Sequence, residues 1–397
     1  MSMTNSTRPF SILYDEHKVP SWVWWGVWLV LMVLGTWGVL QRVIHGHLPA
    51  GYGSYVPWGL WVAIYFHCVG IAGGTMLVGA GGFVLDLPGF RSRRLLRMTI
   101  VLSAASIACG LMGVWFDLGH MLRAYTIYTH ATFTSMMAFN SWMYTAFCIT
   151  AGIAFFLSYR RNRSDWLKPL LCLAILFAIL FPSQSGAFFG VVDAKPFWNS
   201  ALLPVMFLIS AITAGSALLL VIRETLRPTD DPDTPDEHDA ALRTLRIVVV
   251  SGLIAYFVSE FAELSIAYWN PTVHAPAVEL ILFGPYWWVF WIIHLLIGGL
   301  IPLIFLSTQS RGLWVVAGFL VAVTFISTRL NVLVPGQAVG EIRGLQEAFH
   351  DDRLKYVYHA TLMEYLVGFF IVAIGMMLFW IGQRINGRLT HRAETSG

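Results

Sequence analysis

Asn140 and Tyr144 lie four residues apart in an apolar stretch that runs from 134 to 158. Cys148 and Gly152 continue the same step of four, which places all these residues on one helical face. An amide and a phenol can each donate a hydrogen bond to a carbonyl oxygen, and a phenol can also exchange a proton. The pair therefore suits a ligand with carbonyl groups, held inside an apolar segment.

Other strongly polar residues also interrupt apolar stretches of the chain. His67 is the one acidic or basic residue of the stretch 56–84, and a stripe of small residues shares its helical face. Small residues let membrane helices approach one another closely, so we expect His67 to face protein rather than lipid. Polar groups inside a membrane bundle are functional-site hypotheses by default. The other members of this set are Asp117, Gln184, Glu260, Glu263, His294, Arg329 and Glu364.

The composition shows what kind of element must position these residues. The chain is 57% hydrophobic and 12% charged, whereas soluble domains carry about 25% charged residues. Many of its apolar stretches reach the length of about 20 residues that a membrane-spanning helix needs. The sequence therefore predicts an all-α integral membrane protein with about ten transmembrane helices. The predicted spans are 21–43, 56–84, 97–117, 134–158, 167–187, 199–223, 245–268, 279–307, 312–333 and 356–382.

Two further sequence features concern disulfides, metal sites and internal repeats. The four cysteines all lie inside apolar spans, and no CxxC or zinc-type spacing occurs, so we predict no disulfide framework and no metal site. A weak internal echo relates Ile71-Ala-Gly-Gly-Thr in the second span to Ile212-Thr-Ala-Gly-Ser in the sixth. The echo alone does not establish a repeat.

The lysines and arginines between spans predict the orientation. Eighteen of the 25 fall on the side of the two termini, six on the opposite side, and Arg329 lies within a span. Because cytoplasmic loops carry the excess of these residues, both termini should be cytoplasmic. We predict a cytoplasmic N-terminal segment (1–20), a membrane domain (21–382) with an acidic cytoplasmic linker (224–243), and a cytoplasmic tail (383–397). The run 21–43 is too long for a signal-peptide core and reads as a retained first helix.

This orientation places nearly all the strongly polar intramembrane residues in the outer half of the spans. Charges at such depths must pair or line a cavity, and we expect Arg329 to pair with Glu263 or Glu364. A quinone head group would fit the outer half, because it needs hydrogen-bond donors for its carbonyls and a proton exchanger nearby. Two alternatives stay open. One is a protein with a b-type haem, for which only His67 and His294 are central enough to act as ligands. The other is a transporter, which would have helices broken near the midplane. The glycine runs at 73–74 and 79–82 weakly suggest such breaks.

Several motifs, in their order and spacing, resemble the NrfD/polysulfide-reductase membrane-subunit family in its long, ten-span form. The resemblance covers nearly the whole chain. Its motifs are Pro57-Trp58-Gly59, Asp117-Leu-Gly, Asn140-Ser141, Gln184-Ser-Gly, Lys195-Pro196-Phe-Trp198, Leu203-Pro204, Glu263, Arg329-Leu-Asn331 with Pro335, and Glu364.

The resemblance implies two four-helix bundles, spans 2–5 and 6–9, with flanking helices. It implies a membrane subunit that is not catalytic alone and carries no haem or iron–sulfur cluster. Menaquinone or ubiquinone would bind near the outer face, beside a ferredoxin-like iron–sulfur subunit. Further catalytic or multihaem cytochrome c subunits would complete a respiratory oxidoreductase of the bacterial inner membrane. The implied partners also include membrane lipid, but not nucleic acid.

The chain departs from its relatives where some of them have acids, at Tyr65, Tyr144 and His294, and it reads His359-Ala-Thr before the last helix. These departures weaken the case for a continuous acid relay and for proton pumping. We therefore predict two clusters, divided only by span. The quinone-binding set is His67, Tyr144, Asp117, Asn140 and Gln184. The proton-transfer or ion-pair set is Glu263, Arg329, Glu364, His294 and Glu260.

Overall fold

The computed structural model describes residues 21–132, 134–160, 165–226, 234–269, 275–340, 342, 344, 348–349, 351 and 354–395. The predicted N-terminal segment 1–20 and residues 227–233 of the predicted linker lie outside these ranges. Twelve helices of eight or more residues make up the architecture of the described ranges, and ten stretches are long and apolar enough to span a membrane. The helices are α1 (Ser21–His45), α2 (Leu60–Val84), α3 (Arg93–Asp117), α4 (Met136–Leu157), α5 (Leu167–Gly190), α6 (Leu203–Thr225), α7 (Pro235–Trp269), α8 (Ala275–Leu282), α9 (Val289–Ser307), α10 (Arg311–Thr324), α11 (Ile326–Ala338) and α12 (Leu362–Thr395).

The predicted all-α membrane fold is confirmed, and its packing follows the predicted division into bundles. Helices α2, α3, α4 and α5 pack together, and α6 packs with α7 and α10 in a second group that α8, α9 and α11 complete. The two groups meet where α2 packs along α6. Helix α1 pairs with α12, which also contacts α3. Below, "outer face" means the end that carries the loops 46–59 and 118–132, and its position outside the cytoplasm stays a prediction.

The weak internal echo lies at the crossing of α2 and α6. A Cβ on Gly74 would overlap the carbonyl of Ala211, and a Cβ on Gly215 would overlap the Thr75 amide. Thr75 Oγ1 also donates a hydrogen bond of 3.2 Å to the Gly215 carbonyl. The glycines let the backbones approach closely, which is how small residues stabilise membrane helix pairs. The echo therefore marks the seam between the two bundles.

Gly74→Ala should destabilise the protein by about 1–3 kcal/mol, the typical cost of overpacking a tight core. The added methyl group has no room, because the Ala211 backbone cannot move without shifting α6. Gly81→Ala is the matched control, since its Cβ would meet nothing within 4 Å in the same helix. Thermal unfolding of the detergent-solubilised protein measures both. Equal transition temperatures for the two variants would contradict this account of the seam.

The glycine runs of the second span do not break it, so that sequence-based expectation is wrong. Helix α2 is continuous from Leu60 to Val84. The irregular helices are instead the eighth and ninth spans. The eighth is π-helical from Val289 to Leu300. This part includes Gly298 and Gly299, which favour helix weakly, and it ends two residues before Pro302, which lacks a backbone N–H. The ninth breaks at Phe325, between α10 and α11.

The predicted acidic linker is shorter than expected because its second part is helical. Helix α7 begins at Pro235, which suits a first helical position. Thr234 caps it by accepting a hydrogen bond of 3.2 Å from the Glu237 amide. Asp236 and Glu237 lie in the first turn, where negative charge stabilises the helix dipole. These acidic residues therefore stabilise the N-terminus of a helix and are not part of a solvated loop.

Candidate functional site

Two tyrosines meet between the second and fourth spans. The hydroxyl oxygens of Tyr65 on α2 and Tyr144 on α4 are 2.7 Å apart. The Tyr144 side chain is buried and its ring packs edge-on against Phe181, with 5.4 Å between ring centroids. If Tyr144 donates to Tyr65, the Tyr65 O–H remains for another acceptor; in the reverse arrangement, Ser185 can accept from Tyr144. The pair can therefore offer one free O–H to a ligand.

Asn140 lies one helical turn from Tyr144 towards the outer face. Its side chain is 4% exposed, and its Oδ1 atom is buried with no hydrogen-bond partner. Leaving a buried polar group unpaired costs about 1–3 kcal/mol, so such an atom marks a place where water or a ligand is expected. Beside the tyrosine pair, the Asn140 amide supplies an acceptor for a ligand hydroxyl.

The rest of the predicted quinone-binding set is more dispersed. Asp117 ends α3 near the outer face, where its carboxylate faces the hydroxyl of Tyr52. Gln184 is half-buried on α5. His67 lies two residues from Tyr65, so its side chain points to the opposite side of α2. The structure thus brings Asn140 and Tyr144 together and directs His67 towards the other bundle.

His67 contacts the ninth span close to its break. Its Nε2 atom is 2.7 Å from the carbonyl oxygen of Ala322. A carbonyl oxygen can only accept, so His67 must carry its proton on Nε2. Sequence reasoning correctly expected His67 to face protein. It did not identify Tyr65 as a neighbour of Tyr144. A helical wheel of α2 places Tyr65 and His67 on different sides of the helix, so they could have been assigned different neighbours.

A second polar cluster surrounds His294 in the π-helical part of α9. His294 Nδ1 is 3.1 Å from Ser327 Oγ, and that hydroxyl donates to the Thr324 carbonyl at 2.5 Å. With its proton committed, Ser327 Oγ must accept from His294 Nδ1–H. His294 Nε2 lies 2.9 Å from Glu260 Oε2. One proton is therefore shared between Glu260 and His294, on either the carboxylate or the imidazole.

A small, half-open cavity lies beside this pair. It is lined mainly by apolar side chains, with Glu260, Glu263, Tyr256 and Asn331 as its polar members. Tyr256 Oη donates to Glu260 Oε1 at 3.3 Å. Asn331 Nδ2 is buried without a partner. The shared proton thus lies at the wall of a cavity, where water or a ligand can exchange it.

The expected pairing of Arg329 with Glu263 or Glu364 is wrong. Arg329 is buried and donates to the Phe207 carbonyl at 3.2 Å, and its guanidinium lies over the Phe207 ring at 3.8 Å. Within the described ranges it forms no ion pair with a carboxylate. Helix α11 points Arg329 at the seam between α2 and α6, where the Cβ position of Gly70 is 3.2 Å from its Nη2. A cation–π contact replaces the expected acid.

Glu364 has a structural role at the start of α12. Its Oε1 accepts from the Thr361 amide at 3.2 Å and from the Gly51 amide at 2.8 Å. Tyr358 Oη donates to its other oxygen, Oε2. The Thr361 hydroxyl also donates to Oε1, at 3.3 Å. The bond from the Thr361 amide to the glutamate three residues later is one half of a capping box, which stabilises a helix N-terminus. The pattern Thr361-x-x-Glu364 was visible in the sequence and explains this acid without a proton route.

Together, the residues form two groups with different chemistry. The Tyr65–Tyr144–Asn140 group offers neutral hydrogen bonds between α2 and α4, and the Glu260–His294 group shares a proton between α7 and α9. In the part of the chain that the structure describes, no three His, Cys, Asp or Glu side chains come together as a metal site.

Comparison with known proteins agrees with this architecture. A family model described as "Polysulphide reductase, NrfD" matches residues 50–341. The chain is 25% identical to a selenate reductase subunit of Mesobacillus selenatarsenatis, over 88% of this chain and 90% of that protein. It is 26% identical to the Hdr-like menaquinol oxidoreductase integral membrane subunit of Archaeoglobus fulgidus, over 86% and 88%. It is also 24% identical to protein NrfD of Escherichia coli, over 64% and 85%.

Proposed function

Because the chain belongs to the NrfD polysulphide reductase family of membrane subunits, we propose that it binds quinone for a multisubunit respiratory oxidoreductase. It would exchange electrons and protons between quinone or quinol and an external iron–sulfur subunit. The redox centres belong to the partners, and this chain binds and orients the quinone and moves its protons. One relative is named a menaquinol oxidoreductase subunit, which supports quinol as the ligand class.

The proposal rests on the side-chain oxygen of Asn140, Oδ1, which is buried without a hydrogen-bond partner beside the Tyr65–Tyr144 pair. A quinone presents two carbonyl acceptors, and a quinol presents two hydroxyl donors. The free tyrosine O–H would donate to a quinone carbonyl, and Asn140 Oδ1 would accept from a quinol hydroxyl. Asp117 and Gln184 stay in the proposal as polar neighbours at the outer side. His67 is better explained as a support for the ninth span.

The iron–sulfur partner is proposed to dock on the outer face. The loops there expose large apolar side chains, among them Leu48, Leu122 and Tyr125, with exposed fractions of 91%, 88% and 63%. Exposed apolar groups in loops beyond the spans suit a protein interface. The catalytic or multihaem subunits would attach through that partner. The protein would lie in the inner membrane of a bacterium, with this face outside the cytoplasm and both termini inside it.

Hydrogen bonding argues against the haem alternative. His294 uses both ring nitrogens, towards Ser327 and Glu260, and His67 uses Nε2. A bis-histidine haem would have to break these contacts. The break in the ninth span is the observation that favours transport, because transporters bind solutes where helices are discontinuous.

The purified complex with its partner subunits tests the proposal. It should transfer electrons between a water-soluble menaquinol analogue and its catalytic substrate or a dye. The isolated subunit should give a flat reduced-minus-oxidised spectrum in the region of b-haem absorption. A haem signal would support the cytochrome alternative. Vesicles holding only this subunit should accumulate no solute or ion, and uptake there would favour a transporter.

A further inference from the structure

The two bundles differ in charge at the inner face, by which we mean the end opposite the outer face. In the described ranges, basic and acidic residues balance at the second bundle. They are Arg223, Arg243, Arg246 and Arg311, with Glu224, Asp236, Glu237 and Asp239. At the first bundle and the end of α12, eight basic residues face two acids, Asp86 and Asp165. The orientation of the chain requires basic residues at this face, but it does not require one bundle to hold the excess.

This excess of positive charge is concentrated around the start of α3. Lys168 forms an ion pair with Asp86 at 2.8 Å, and no acidic residue lies in the first turn of α3. Cations near a helix N-terminus are opposed by the helix dipole, and like charges repel one another. A bound anion would therefore stabilise this end of the protein. We call the arginines here the arginine surface; they are Arg91, Arg93, Arg94, Arg97, Arg160, Arg384 and Arg388.

Two members of the arginine surface reach the same short segment at the end of α4. Arg93 Nη1 donates to the Ser158 carbonyl at 3.4 Å and to the Arg160 carbonyl at 2.7 Å. The Arg97 guanidinium lies 4.4 Å from the centroid of the Tyr159 ring, in a cation–π contact. Arg97 is only 8% exposed, so its charge is held in place by packing. Two guanidinium groups therefore converge on residues 158–160.

Helix α12 adds a hydrogen-bond donor to this segment. Tyr159 Oη donates to Asn386 Oδ1 at 2.7 Å, and Asn386 Nδ2 donates to Gln383 Oε1 at 3.4 Å. With Oε1 accepting, the Gln383 amide has only its Nε2–H groups to offer, and Nε2 is buried without a hydrogen-bond partner. A buried donor without an acceptor is costly. In a network that includes Tyr159 and its arginine neighbour, it indicates a place for the oxygen of an anion.

Exposed apolar side chains adjoin the arginine surface on the same helices. Phe156 on α4 and Trp380 and Ile385 on α12 have exposed fractions of 65%, 41% and 46%. The Arg384 guanidinium lies 4.9 Å from the centroid of the Trp380 ring. Tryptophan at the end of a span marks the level of the lipid head groups. The arginine surface therefore lies between the head-group layer and the hydrocarbon, where a ligand needs both a negative head and apolar chains.

We propose that the arginine surface binds an anionic phospholipid, with the head-group phosphate held by Arg93 and Arg97 at the end of α4. A guanidinium suits phosphate because two of its N–H groups can bond two phosphate oxygens. At most two of the five N–H groups of Arg93 serve the α4 carbonyls, so the others can reach the phosphate. The acyl chains would lie over the exposed side chains of α4 and α12. This inference does not depend on the proposed quinone site.

Native mass spectrometry of the full chain in detergent, titrated with phosphatidylglycerol or phosphatidylcholine, tests this site. The wild-type protein should bind phosphatidylglycerol more tightly than phosphatidylcholine. Arg93→Gln should lower the affinity for phosphatidylglycerol about tenfold, the loss expected for one hydrogen bond between charged groups. Arg243→Gln is the matched control, since Arg243 is an arginine of the inner face at the second bundle, with a side chain 71% exposed. It should keep the wild-type affinity.

Equal affinities for the two lipids, or equal affinities of Arg93→Gln and Arg243→Gln for phosphatidylglycerol, would overturn the proposal. Arg97→Lys is a second variant, because lysine keeps the charge but cannot bond phosphate through two N–H groups. Its thermal unfolding without lipid shows that it folds, and added phosphatidylglycerol should raise its transition temperature less than that of the wild-type protein. An equal rise would count against the role of Arg97. Glycerol phosphate at the same concentration should not displace the lipid, and displacement would assign the site to a soluble phosphate instead.

Discussion

Replacing Tyr65 and Tyr144 together by phenylalanine is expected to lower quinol oxidation by the intact complex by about 10²- to 10⁴-fold. The variant keeps both rings, so the packing of Tyr144 against Phe181 is retained. It removes both hydroxyls, and with them the free O–H donor and the proton exchange that the reaction needs. Steady-state rates with a menaquinol analogue, measured beside binding of the same analogue, would separate lost chemistry from lost affinity.

Tyr159→Phe is the control for this prediction. Tyr159 Oη donates to Asn386 Oδ1 at 2.7 Å near the opposite end of the bundle. Removing the Tyr159 hydroxyl breaks a hydrogen bond of the same length as that between Tyr65 and Tyr144. This bond lies far from the proposed quinone site. The control should keep the wild-type rate. A double variant as active as Tyr159→Phe would show that the tyrosine pair does not bind the reacting head group.

Glu260→Ala should destabilise the protein by about 1–3 kcal/mol for each buried hydrogen-bonding partner that it leaves unpaired. The truncation leaves His294 Nε2 and Tyr256 Oη unpaired in a buried site. Glu260→Gln should be much milder. Its amide nitrogen can donate to neutral His294 Nε2, and its oxygen can accept from Tyr256. Thermal unfolding of the solubilised protein compares the two variants.

The same pair of variants tests the shared proton. Glu260→Gln keeps the hydrogen bonds but cannot exchange a proton with His294. If the pair takes part in turnover, the glutamine variant stays folded and loses activity. If the pair only fixes α7 against α9, activity is retained. An alanine variant as stable as wild type would contradict the hydrogen-bond network described for Glu260.

The spans were predictable, because the length and hydropathy of an apolar stretch are local properties of the sequence. The sequence could not predict which residues of two packed helices face one another. The small-residue stripe correctly indicated that His67 faces protein, but α2 has protein on several sides, and only packing decides which bundle it meets. Arg329 and Glu364 share the outer part of the spans, yet Arg329 lies against Phe207 and Glu364 caps α12.

The Tyr65–Tyr144 contact shows the same limit. Each tyrosine was recognised separately, but their 2.7 Å contact depends on the rotation of α2 against α4. The break at Phe325 was also hidden, since no proline or glycine marks it. In contrast, the Thr361–Glu364 cap of α12 and the start of α7 follow local rules and could have been predicted.

A structure of the complex with a bound quinone analogue tests the central claim most directly. The account predicts the head group between α2 and α4, within hydrogen-bond distance of Asn140 and of one hydroxyl of the Tyr65–Tyr144 pair. A head group bound instead in the cavity beside Glu260 and Glu263, with the tyrosine pair unoccupied, would contradict it.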